Sequence, residues 1–443
     1  MTEWVAHLEE RSTRILIALF ALSIAAFLVT IPLPRVDGML IGSDGVGYYM
    51  YVRSAVIDHD IDFANEYRHL YPTGHPNGLQ TSTGLIANKY AIGTGILWLP
   101  FFIVGHLISL IMRSAGFSVT TDGYSYIYQA AVCIGSIFYG FCGMVLMHRT
   151  TQRLFADTAL AACVLLWLAT NFIYYLIVEP SMSHMCSLFA TSLLMYVWIG
   201  ARPIESLHQC LAIGLAGGLV GLVRQPDATL FLLPLLDYMF MRKSFLERGK
   251  RIALTAAGFF LIFWVQMFVW NMLNGSPFLS GYFLKGHEGF SWWSPHVLDV
   301  LFSAEHGLFL WHPILLFAAI GLVLLFRANP LIGGLLLAGF FSQIYLIASW
   351  SSWSQGDSFG GRMFISFLPV FAIGLAAFLQ RVTLKNNMRV LLLVVSGVLV
   401  LWNFLFLIQY RLGFISMSGP YTIRELTIGK MEMIIEIANR FFH

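Results

Sequence analysis

The sequence predicts an all-α polytopic membrane protein, a bundle of about 11–12 transmembrane helices with a large first extracytoplasmic loop. Three observations predict it. Mean hydropathy is +0.74 over 443 residues, with 58% hydrophobic and 11% charged residues, a balance outside the range of soluble globules. Apolar stretches of about 20 residues recur, and each matches the thickness of a bilayer's hydrocarbon core. These stretches lack the alternation of a barrel strand, so their backbone must be satisfied as helix.

The first span sets the frame. Met1–Arg14 is polar and carries three glutamates, so it reads as a cytoplasmic N-terminus. Ile15–Leu33 is too long for a signal h-region and has no small-residue cleavage site, so it reads as a retained span. The loop 34–90 follows, holding Arg53, Asp58, Asp60, Asp62, Glu66, Arg68, His69, His75 and Lys89. In a chain this poor in charge, such a density marks where chemistry should be sought. Pro72–Gly78 enforces turns, and Ser54–Asp60 has the makings of a short surface helix.

Apolar segments then fall at 91–112, 125–147, 158–178, 182–200, 210–223, 228–241, 252–273, 307–326, 331–349, 363–379 and 388–408, closing a transmembrane domain over 15–408. The tail 409–443 is amphipathic. Its Ile423, Leu426, Met431, Ile434, Ile435 and Ala438 recur at helical spacing, which suits a helix lying on the membrane surface.

Orientation follows from Lys and Arg in short loops. His148–Arg153, Arg242–Arg251 and Arg381–Arg389 belong on the cytoplasmic side, with Arg202 and Arg327 in agreement. Glu179–His184, Arg224–Asp227, Asn274–His306 and Trp350–Arg362 then share the opposite face with the loop 34–90. This scheme requires an odd number of crossings from 91 to 147. The segment 91–112, interrupted by Gly93, Gly95 and Pro100, is the one expected to be re-entrant.

The polar islands carry the candidate chemistry, each with a plainer alternative. Asp44, in Gly42-Ser43-Asp44-Gly45, is a turn or N-cap residue, or a carboxylate general base whose flanking glycines admit a substrate. Tyr48 and Tyr49 follow it as substrate-contact candidates. Lys89 either snorkels to the interface or meets a lipid phosphate. Glu179 and His184 flank Pro180, in a capped turn or at a functional site near hydrocarbon. Arg224 either pairs with Asp227 or forks onto a phosphate. Lys285, Trp292 and Trp293 lie in a loop that reads as an interfacial belt or a sugar-stacking platform. Trp353, Asp357 and Gly360-Gly361-Arg362 form an aromatic turn or an anion site. His287, Glu288 and His296 have no ligand spacing of a recognised metal site, and no metal is assigned. All five cysteines lie in or at the edge of apolar stretches and read as small core residues. A net charge of +3 without a basic stripe gives no nucleic-acid partner.

These islands together resemble the GT-C glycosyltransferases, of the bacterial protein O-mannosyltransferase and lipid A aminoarabinose-transferase type. The resemblance runs from Asp44 to about Leu379. It is carried by Ser43-Asp44-Gly45 with Tyr48-Tyr49, Lys89-Tyr90 to Pro100, Glu179 to His184, Leu222 to Pro226, Leu301 to Pro313 and Gly356 to Arg362. It implies a polyprenyl-phosphate-linked sugar donor and a lipid, glycan or protein acceptor. It also implies an active site facing the exterior of a bacterial inner membrane. By resemblance, Asp44 is the base, Lys89, Arg224 and Arg362 meet the donor phosphate, and Trp292, Trp293 and Trp353 line the donor cavity. The chain departs from that pattern in two ways: it has no sizeable C-terminal soluble domain, and Gly45 replaces the second acid of an Asp-Glu pair.

Two readings of other kinds compete with it. A flippase or transporter of lipid-linked sugars would place charges at mid-membrane on broken helices and show paired repeats. Here the charges sit at span ends and no repeat is visible. An oligosaccharide polymerase or ligase would carry its main loop late in the chain, not early.

Overall fold

The structure is a computed structural model describing residues 2–32, 39–71, 79–286, 288–383 and 388–442, without the side chains of 2–9, 285, 286, 441 and 442. The turns expected at 72–78, with His75, and His287 lie outside the described residues.

In chain order the helices are α1 (Thr2–Thr30), α2 (Gly45–Arg53), α3 (Ala64–Leu70), α4 (Gly93–Ser114), α5 (Tyr126–Leu154), α6 (Ala159–Ala169), α7 (Phe172–Ile177), α8 (His184–Gly200), α9 (Leu207–Val223) and α10 (Leu232–Met239). Then come α11 (Phe245–Asn274), α12 (Val297–Phe302), α13 (Leu308–Trp311), α14 (Ile314–Ala328), α15 (Pro330–Ser349), α16 (Leu368–Thr383), α17 (Arg389–Arg411), α18 (Ile423–Thr427) and α19 (Gly429–Phe442). The described residues form no strand, only two isolated bridges. Among the described residues, seven helices are long and apolar enough to cross a membrane, and α6, α8, α9 and α14 are shorter apolar helices. The expected segments are present, but several are broken where polar residues or proline interrupt them. The stretch 158–178 divides at Thr170-Asn171, and 307–326 divides at His312-Pro313. Ser54–Asp58, expected as part of a surface helix, continues α2 as one wide turn.

The chain forms two compact units: Met1–Leu146 with Tyr175–Gly289, and Met147–Tyr174 with Phe290–His443. In the first, α9 and α11 run parallel along a seam of small residues. A methyl group on Gly214 or Gly218 would meet the carbonyl oxygens of Thr255 and Phe259, and one on Gly258 would meet Leu211 O. Backbones packed this closely hold helices together where no hydrophobic effect can. Helix α9 opens on a capping box between Ser206 and Gln209. At the far end of α8, Arg202 pairs with Asp237, which also accepts the Trp198 indole N–H at 2.9 Å.

Helix α4 is continuous through Gly93, Gly95 and Pro100, so the break expected there is absent. Its pairing is nevertheless partial. Trp98 donates to Ser136, Phe101 covers Gly135, and His106 meets Tyr128, all in the first half of α5. Further along α5, Gly140 and Gly143 pack on Met185 and Leu188 of α8. Helices α4 and α8 therefore occupy different depths along α5.

In the second unit α14 and α16 touch backbone to backbone at Gly321 and Gly374. The break between α6 and α7 is closed by Asn403 of α17, whose Nδ2 donates to Leu168 O and Thr170 O at 2.9 Å each. Carbonyls left free there would be costly away from water. The tail is helical, with Ile423, Ile428, Met431 and Ile435 exposed and Leu426 buried. Lys430 docks it on α17 by donating to Gln409 Oε1 at 3.1 Å.

Candidate functional site

Asp44 stands at the N-cap of α2, yet its side chain makes no capping bond. One carboxylate oxygen accepts instead from the Tyr90 hydroxyl at 2.6 Å. The close approach depends on glycine. A methyl group on Gly47 would strike the Tyr90 ring, and one on Gly45 would strike Ser181 O at 2.6 Å. Asn88 secures the meeting from both sides, donating to Gly47 O at 2.7 Å and accepting from Tyr90 N at 3.1 Å. The Tyr48 ring lies 5.0 Å from Tyr90, and its hydroxyl accepts from Ser183 at 2.9 Å.

Three helices begin here. The residues before α8 touch Gly45 through Ser181, and Gly93 at the head of α4 packs on Leu222. The N-termini of α2, α4 and α8 thus gather beside the end of α9. Each adds partial positive charge, and the C-terminus of α9 is followed at once by Arg224.

The cations belong to the same unit. Lys89 Nζ lies 3.0 Å from Glu288 Oε1 and 5.4 Å from the ring centroids of both Tyr90 and Tyr282. Arg224 Nη1 lies 3.7 Å from Asp227 Oδ1, too far for a hydrogen bond, and has no acceptor. Asp227 is itself engaged by the Ser187 hydroxyl. Burial pushes the Tyr282 phenol well up, with the charges of Tyr48 and Asp44 adding and Arg224 opposing. Burial also raises Tyr90, with Asp44 the next cause. Both phenols therefore stay protonated donors. Asp44 and Glu288, the cations Lys89 and Arg224, and the phenols of Tyr48, Tyr90 and Tyr282 thus share a single electrostatic neighbourhood.

No family model matches the chain, and no curated protein does. Among solved structures it is similar to the crystal structure of ArnT from Cupriavidus metallidurans bound to undecaprenyl phosphate, at 17% identity and a TM-score of 0.49. The overlap covers 82% of this chain and 60% of that one, so this chain spans less than two thirds of its length. So loose a superposition carries no residue role across. What stands on the chain's own features is an integral membrane protein built of helices.

The other sequence candidates fall as follows. Tyr49 is buried and its hydroxyl donates to Gly123 O, a core contact. His184 is buried against the Tyr175 ring at 4.7 Å. Glu179 is half-buried, its backbone carbonyl accepting from Met182 N at 3.3 Å. Lys285 lies on the 3-10 segment Gly281–Gly286, with its side chain outside the described set. Arg362, Trp353, Asp357, Trp292 and Trp293 belong to the second unit. There Trp293 is wholly exposed, and Trp292 stacks on Phe290 at 4.5 Å. Trp353 stacks on His296 at 4.9 Å, and Asp357 is exposed. Burial, with the charge of Arg362 adding, lowers His306 to about 4 despite its bond to Ser354 O. Among the described residues, no group of three or more His, Cys, Asp or Glu side chains could hold a metal ion.

Tyr90 and Tyr282 carry no role in the sequence reading, and Glu288 is weighed there only as a metal ligand. Tyr90 enters it only as part of the Lys89-Tyr90 motif.

Proposed function

We propose that the chain is a membrane glycosyltransferase of GT-C type, moving a monosaccharide from a polyprenyl-phosphate donor to a hydroxyl of a lipid, glycan or protein. The acceptor oxygen attacks the anomeric carbon and its proton passes to Asp44. The bond from that carbon to the phosphate oxygen breaks on the opposite face, inverting the centre, and polyprenyl phosphate leaves. Lys89 and Arg224 meet the charge that develops on the leaving phosphate. Tyr48 is the candidate sugar contact on α2.

The observation that carries this reading is the Asp44 carboxylate, oriented by a phenol and set among two cations and three helix N-termini. A carboxylate alone would serve as a cap; here it caps nothing. The opposite end of the same unit collects Arg202, Arg242, Lys243, Arg248, Lys250 and Arg251, which supports an extracytoplasmic site by the positive-inside rule.

The test is transfer by purified protein in liposomes from a panel of radiolabelled polyprenyl-phosphate sugars, with Asp44→Asn beside wild type. Transfer lost in a folded variant that still binds donor is the expected result. Turnover surviving Asp44→Asn would remove the base. Movement of lipid-linked sugar across the bilayer, with no turnover, would replace the enzyme by a flippase.

A further inference from the structure

We infer that a groove between α16 and the first half of α17 holds one acyl chain of an anionic phospholipid, with the lipid phosphate between Arg381 and Arg389. The site lies wholly within the second unit and does not depend on the function proposed above.

A short connection joins α16 to α17, and helices so joined ordinarily lie side by side. Yet α17 buries only its second half, through Asn403, Phe406, Gln409 and Tyr410. In its first half Leu392, Val395, Ser396 and Leu399 recur at the i, i+3, i+4, i+7 spacing of a packed face, and each stays half-exposed. That face lines a cavity of about 160 Å³, whose other walls are α6, α14 and α16.

One water needs roughly 10–15 Å³ of such space, so this cavity would take several. Its walls are apolar except for Ser396, and they offer water almost no hydrogen bonds. Close-packed interiors do not leave voids of this size. Hydrocarbon is the filling that suits both the walls and the volume. From Met388 to Leu399 the groove runs for roughly 16 Å at about 1.5 Å per residue. That is one leaflet of a hydrocarbon core about 30 Å thick, the depth of a single acyl chain. At one end Val382 and Met388 line the cavity, and their chain neighbours are Arg381 and Arg389. Both arginines are exposed, and among the described residues neither takes part in an ion pair. Two guanidinium forks at headgroup level are suited to a phosphate, and their charge favours a lipid of net negative charge.

The test is native mass spectrometry of the full chain in mild detergent. The probes are palmitoyl-oleoyl phosphatidylglycerol and the phosphatidylcholine with the same chains. One phosphatidylglycerol retained per chain, in preference to phosphatidylcholine, is the expected result. Arg381→Gln and Arg389→Gln should each weaken that retention roughly fivefold, the worth of one cation near a lipid surface. Ser396→Phe fills the groove and should expel the lipid while both arginines remain, with circular dichroism to confirm the fold. Arg242→Gln with Lys243→Gln removes as much exposed charge from a loop outside the groove, and should leave retention unchanged. Equal retention of the two lipids overturns the inference, as does a loss in the Arg242 and Lys243 variant that matches the loss at Arg381 and Arg389. Retention unchanged in a folded Ser396→Phe protein overturns it as well. Displacement of phosphatidylglycerol by an equal amount of polyprenyl phosphate would also overturn it, and would give the groove to that lipid instead.

Discussion

Gly47→Ala would test the geometry from beneath the tyrosine. A methyl group built on Gly47 lies 2.6 Å from Tyr90 Cε2 and 3.0 Å from Cγ, with Cδ2 nearer still. Relaxed carbon contacts lie at about 3.5–4.0 Å, so the ring, whose Cδ2 is nearest, must retreat by roughly 1.5 Å or more. Retreat takes the hydroxyl from Asp44, since the 2.6 Å bond has no slack. Overpacking of this kind costs about 1–3 kcal/mol of stability. A misplacement of about 1 Å at a reacting group costs up to about a hundredfold in rate. The expected variant is folded, with a modestly lower melting temperature in detergent and kcat down about ten- to a hundredfold. Sugar transfer assayed beside differential scanning fluorimetry reads both quantities. Wild-type kcat in a folded Gly47→Ala protein would refute the reasoning, because Asp44 would then not depend on where Tyr90 stands.

Glu288→Gln should tighten binding of polyprenyl phosphate by roughly tenfold, because an incoming phosphate no longer competes with a carboxylate 3.0 Å from Lys89. Isothermal titration in nanodiscs decides it, and weaker binding would make Glu288 a support for Lys89 and not its competitor. The tail offers a pH prediction. Burial lowers Lys430 from 10.5 to about 6, so docking of α19 on α17 weakens as pH falls from about 10.5 and levels off below about 6. Hydrogen exchange in α18 and α19 should therefore quicken from pH 9 to pH 6, after correction for intrinsic rates. In Lys430→Met the protection should no longer vary with pH; persistence of the trend would assign it to another group.

The helices are legible in the sequence because hydrocarbon thickness imposes their length; the caps Ser206, Ser244 and Asn329 that open three of them emerge only in the structure. Asp44 and Lys89 are legible for a different reason: a charge in so apolar a chain requires an explanation. Tyr90 is invisible by the same logic, being one of 18 tyrosines. Only the fold shows that residue 90 returns to residue 44. Arg224 illustrates an ambiguity that local sequence cannot resolve. Asp227, three residues on, looks like a sufficient partner, but it lies beyond hydrogen-bond range and is engaged by Ser187 from another helix. Pro100 errs the other way. It suggests a broken helix, yet α4 absorbs it and continues.

The glycine seam between α9 and α11 has a mechanical consequence. Two parallel helices locked backbone to backbone form a strut with no compliant layer of side chains between its members. Arg224 leaves the end of one member, and the segment bearing Tyr282 and Glu288 leaves the end of the other. The offset between guanidinium and phenol is therefore set like a vernier, at Gly214 and Gly218, well back along the shafts. An alanine there would touch no part of the site, yet would shift one scale of that vernier against the other.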